Sequence, residues 1–69
     1  MRFEVGDIVR IAKDNPETCP DILRIRDNGI EGRITSFFDG VIHWAVDCAE
    51  LSEFLKSEEH ELKLVRRSA

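Results

Sequence analysis

Sixty-nine residues make one small domain spanning positions 1–69, with no room for a second domain or for an enzyme carrying its own cofactor cradle. Hydrophobic residues at 42% and charged residues at 35% describe a globular balance, too apolar for a disordered tail. Ten basic residues against fourteen acidic ones leave a formal charge of -4, the wrong sign for a protein whose chief partner is a phosphate backbone.

A domain of this length buries only about 60% of the surface its unfolded chain exposes, so nearly every apolar side chain must contribute to the core. Cys19 and Cys48, the two cysteines, are too few for a disulfide-stapled secreted scaffold and point to a reducing, cytoplasmic compartment. No uncharged run approaches the ~20 residues that span a bilayer, so no membrane is expected as a partner.

Residues 5–12 begin with Gly6-Asp7 and continue into β-branched residues, which predicts a strand entered through a tight turn, with Val9 and Ile11 on one face and Ile8 and Arg10 on the other. Residues 13–20 contain Pro16 and Pro20 and read as a loop. Residues 20–26 fit either a short extended arm or a single helical turn, because periodicity cannot choose over so short a run. Asp27-Asn28-Gly29 signals a turn. The next strand covers residues 30–38 with Ile30, Gly32 and Ile34 on one face, and Gly32 marks a bend or a close backbone approach. Asp39-Gly40 predicts a tight hairpin. Residues 41–48 return with Ile42, Trp44, Val46 and Cys48 inward and His43, Ala45 and Asp47 outward. A turn over 49–52, a short strand over 53–56, one helical turn capped by Ser57 and a last strand over 62–65 complete the chain, ahead of a basic frayed end. Five short strands with a long first loop and one helical turn before the last strand predict an all-β, SH3-like small barrel, whose closure would remove exposed edges. The alternative is another small β-meander, or an α+β domain in which residues 20–26 are helical.

The segments Val5-Gly6-Asp7-Ile8-Val9-Arg10-Ile11, Gly29-Ile30-Glu31-Gly32-Arg33-Ile34 and Glu59-His60-Glu61-Leu62 together resemble small bacterial and prophage SH3-like barrels of unassigned function, the YorP-like proteins among them. The likeness covers nearly the whole chain and implies no catalytic residue. The opening and the Gly-x-x-Gly-x-Ile pattern are also similar to the variable subunit of ferredoxin-thioredoxin reductase, which implies a scaffolding partner. They are similar as well to KOW-type modules, which implies RNA or ribosomal contact. Such patterns specify turns and therefore speak to fold more than to work.

Chemistry-bearing residues are sparse. Cys19, Cys48, His43 and His60 lack the spacing of a zinc site, and His43 and Cys48 are expected on opposite faces of their strand. The two cysteines are expected reduced rather than bridged. Ser36, Ser52, Ser57, His43 and His60 lack the elbow or glycine loop that activates a nucleophile, so the expected protein is not an enzyme and holds no cofactor or metal. The acidic run Glu58-Glu59-His60-Glu61 reads as a solvated turn. With no tyrosine, the chain lacks the aromatic groove that grips polyproline, and Trp44 and Phe54 are expected in the core rather than in a methyl-lysine cage.

Phe37 and Phe38 are neighbours, so only one can face inward, and the other is expected exposed beside the hairpin tip, near Ile8 and Ala45. The expected function is thus a non-enzymatic protein-interaction module with an unidentified protein partner. Phe37, Phe38, Asp39 and Ile8 are its contact candidates, and docking is expected through the central hairpin around residues 37–40 and the long first loop over residues 13–27. The alternative is an RNA- or DNA-binding barrel using Arg10, Arg24, Arg26 and Arg33. Asp21, Asp27 and Glu31 interleave with those arginines and favour a salt-bridged, solvated face.

Overall fold

The computed structural model describes residues 3–48 and 51–67; the side chains of residues 47, 48 and 51–53 lie outside that description. Five strands form one antiparallel sheet in the order β4-β3-β2-β1-β5. They are β1 (Ile8–Ile11), β2 (Gly32–Phe38), β3 (Val41–Cys48), β4 (Leu51–Ser57) and β5 (Leu62–Arg66). A helix, α1 (Pro20–Asp27), interrupts the first connection, and a 3-10 turn (Glu59–Glu61) precedes β5. Among the described residues no pairing joins β4 to β5, so the sheet has two edges.

The parity expected for β3 holds: Ile42, Trp44 and Val46 are all buried, while His43 and Ala45 are half-buried on the outer side. The expected inward Cys48 and outward Asp47 fall outside the described side chains. Trp44 anchors the core with Val9, Ile11, Ile25, Ile34, Ile42, Val46 and Leu62 around it. Its indole N–H donates to the Ser57 hydroxyl at 3.0 Å, which meets the requirement that a buried donor be paired. A Cβ added at Gly32 would sit 2.5 Å from the Trp44 ring and from the Ala45 carbonyl oxygen. The expected close approach is therefore real, and it lets the indole lie against β2.

Of the readings left open for residues 20–26, the helical one holds and the extended arm does not, and the helix is longer than the single turn expected. Residues 20–27 form two helical turns because Pro20 occupies the first helical position, Asp21 lies at the positive end of the dipole, and Arg24 and Arg26 lie at the negative end. Ile22 and Ile25 fall one turn apart and meet the core. The helix stops at a Schellman motif: Ile30 N–H donates to the Ile25 carbonyl at 3.0 Å and Gly29 N–H to the Arg26 carbonyl at 3.2 Å, with Gly29 at a φ of 62°.

Three further boundaries are corrected. β4 starts at Leu51, ahead of the expected residue 53, so residues 51 and 52 of the expected turn belong to the strand; residues 49 and 50 lie outside the described residues. Ser57 ends β4 and bonds Trp44, while Glu58 caps the 3-10 turn through a reciprocal box with Glu61. The expected basic frayed end is not free as far as residue 67: the Arg67 guanidinium donates to the fully buried Asp7 carboxylate at 3.0 Å. The same Asp7 oxygen accepts the Glu4 N–H at 2.9 Å, and the Asp7 carbonyl accepts from Ile34 N–H. Ser68 and Ala69 lie outside the described residues.

Candidate surface on the outer sheet face

Residues paired across an antiparallel ladder share a face, so the register alone assembles the outer surface. One row crosses all five strands: Arg66 opposite Ile8, Ile8 opposite Arg33, Arg33 opposite Ala45, and Ala45 opposite Phe54. Toward the hairpin, Lys56 and Ser36 flank His43, and Phe38 pairs with Val41 at the tip. The turn between β2 and β3 takes positive φ at both central residues, 52° at Asp39 and 78° at Gly40, as a two-residue primed hairpin requires.

A register shift places Thr35 as an extra residue on β2, between Ile34 opposite Trp44 and Ser36 opposite His43. Without that bulge, strict alternation would send Ile34 and Phe38 to the same side. With it, Phe37 packs against the core and Phe38 turns outward, 73% exposed. The Thr35 hydroxyl donates to the His43 carbonyl at 3.2 Å and helps hold the bulge.

Phe54 is 86% exposed, which corrects its expected place in the core. Leu55 takes the inner position instead, opposite Trp44. The rule used for Phe37 and Phe38 applies equally to the adjacent Phe54 and Leu55 and could have found this. Ile8 lies opposite Arg33, at the far end of β2 from Phe38, and is buried at 8% exposure, so it does not adjoin Phe38. Ile8, Gly32 and Ala45 floor a shallow cleft of about 260 Å³ whose walls are Glu31, Arg33 and Arg66. The Arg66–Glu31 contact there, at 3.2 Å, joins two well-exposed side chains and contributes roughly 0–1 kcal/mol.

The four arginines of the alternative reading are spread over three elements. Arg24 is exposed on α1, and Arg26 on the same helix bonds the Asn15 carbonyl and Asp27. Arg10 on β1 reaches the Ile11 carbonyl, and Arg33 on the outer face reaches the Gly6 carbonyl at 3.2 Å. Cys19 is an exposed free thiol at the N-cap of α1. His60 lies on the 3-10 turn, 3.8 Å from Glu58. No described helix is long and apolar enough to cross a membrane. No protein-family model, no curated protein and no solved structure matches the chain.

Proposed function

We propose that this chain is a non-catalytic protein-interaction module of the SH3-like barrel type, docking through the outer face of the β2–β3–β4 meander around the hairpin tip. The barrel reading is supported by the strand order, with β5 beside β1 and a 3-10 turn ahead of β5. The observation that carries the docking reading is Phe38, a large apolar side chain 73% exposed beside a tight two-residue hairpin turn. Phe54 lies on the same face and is also open to solvent. Exposed aromatics on a fixed scaffold present contact area at little entropic cost, which is why such residues dominate interfaces. The helical part of the first connection packs its isoleucines inward, so the hairpin rather than that connection is the centre of the surface.

Crosslinking in a cell extract, followed by pull-down of wild type and Phe38→Asp, tests this. One protein captured by the wild type and depleted at least ~10-fold with the variant is the expected result. Equal recovery with both overturns it. A second reading, single-stranded nucleic acid stacked on Phe38 and Phe54, is favoured by the His43–Lys56 row lying between the rows of those two rings, with Arg33 across Ala45 from Phe54 on the same face. It predicts binding that weakens with salt and is lost in Arg33→Glu, in a mobility-shift titration with oligonucleotides.

A further inference from the structure

The two edges of the sheet differ in what protects them. At the β5 edge the ladder to β1 is broken by a register shift between Ile8 and Val9, and the strand carries Lys63 and Arg66. Bulges and basic side chains are the usual means by which an edge avoids pairing with another chain. β4 carries one charge of each sign, Glu53 and Lys56, but it has an unbroken ladder to β3 from Leu51 to Ser57, with neither bulge nor proline, and its central residue is the exposed Phe54. A regular edge with an apolar centre is a template for a further strand.

We propose that β4 is a self-association edge, where two copies of this chain pair antiparallel about a two-fold axis through Phe54 and join their sheets into one. In a two-fold contact residue i meets j and j meets i. A register centred on position 54 therefore sets Phe54 against its own counterpart, Lys56 against Ser52, Glu53 against Leu55, and Ser57 against Leu51. No charge stands directly opposite a like charge, so the cross-strand penalty is avoided while the central aromatic pair gains contact. That match is built into the strand only for a second copy; a foreign strand would have to supply it. The edge is distinct from the hairpin tip, since Phe38 lies on β2, two strands inward.

Sedimentation equilibrium of the full chain under reducing conditions tests the pairing. The expected mass rises with concentration toward twice 7.9 kDa. Phe54→Lys should weaken association at least ~10-fold while keeping the wild-type circular dichroism spectrum, and Phe38→Asp should leave association unchanged. Register is read by oxidation in a background with both native cysteines replaced, Cys19→Ser and Cys48→Ser: F54C should form a covalent dimer, K56C alone should not, and S52C with K56C together should. A single 7.9 kDa species at every concentration overturns the proposal. So does a dimer that Phe54→Lys does not weaken, or one that crosslinks through K56C but not F54C. A strand from a different protein taking this edge would appear as the first of those results. A partner lost in Phe38→Asp from a protein that stays at 7.9 kDa marks failure here alone, and self-association weakened by Phe54→Lys with equal partner recovery in Phe38→Asp marks failure of the docking surface alone.

Discussion

The β3–β4 side of the sheet and the β1–β5 side are held by different physics. On the first, Trp44 lies opposite Leu55 and bonds Ser57, so the two strands are joined by a regular ladder over a large buried aromatic. On the second, a broken ladder is tied down by one buried carboxylate that gathers Glu4 N–H and the Arg67 guanidinium. Apolar burial tolerates an open edge because it acts from one face only. A polar clasp acts at a point and fixes where the chain goes next.

Changes on either side should break or sharpen that contrast. The largest effect is expected from Trp44→Ala, which removes the biggest core side chain at a cost of ~3 to 5 kcal/mol, comparable to the whole stability of so small a domain. Loss of the cooperative melt is the expected result, and a retained melt would mean the aromatic is not the anchor. Asp7→Ala should cost about 1–3 kcal/mol by leaving the Glu4 N–H without its acceptor. Amide exchange should then quicken in β5 before β4; equal acceleration in both would show a single cooperative unit and erase the contrast.

Gly40→Val forces a β-branched residue to a φ of 78° and should cost about 1–2 kcal/mol, read as a lower melting temperature with the fold retained. Phe54→Lys should change monomer stability by no more than about 0.5 kcal/mol, since the ring is almost wholly solvated. A large destabilisation of the monomer would place that ring in the core after all.

The sequence carried the parity of β3, the Asp39-Gly40 hairpin and the close approach at Gly32, because each depends on a local rule that nothing distant overrides. Helix α1 was also written there: Pro20 at the start and Gly29 with Ile30 beyond the end are the two terminal signals, and reading the interior alone left helix and extended arm both open. The choice between Phe37 and Phe38 was not legible. It turns on the Thr35 bulge, a property of how β2 meets β3 rather than of either strand. The same holds for Asp7, whose partner Arg67 is brought to it only by the β1–β5 pairing. The outer-face row is a product of register across five strands, and no single segment displays it.

Because Glu4 and Arg67 converge on a single Asp7 oxygen, positions near the two ends of the described chain are neighbours in space. A short linker could therefore join them, and the polypeptide could be reopened at the solvent-facing Asp39-Gly40 turn to give a circularly permuted protein with the same sheet order. For the same reason, a probe attached at Glu4 or at Arg67 would sit at the β1–β5 corner, with β2 and β3 between it and β4.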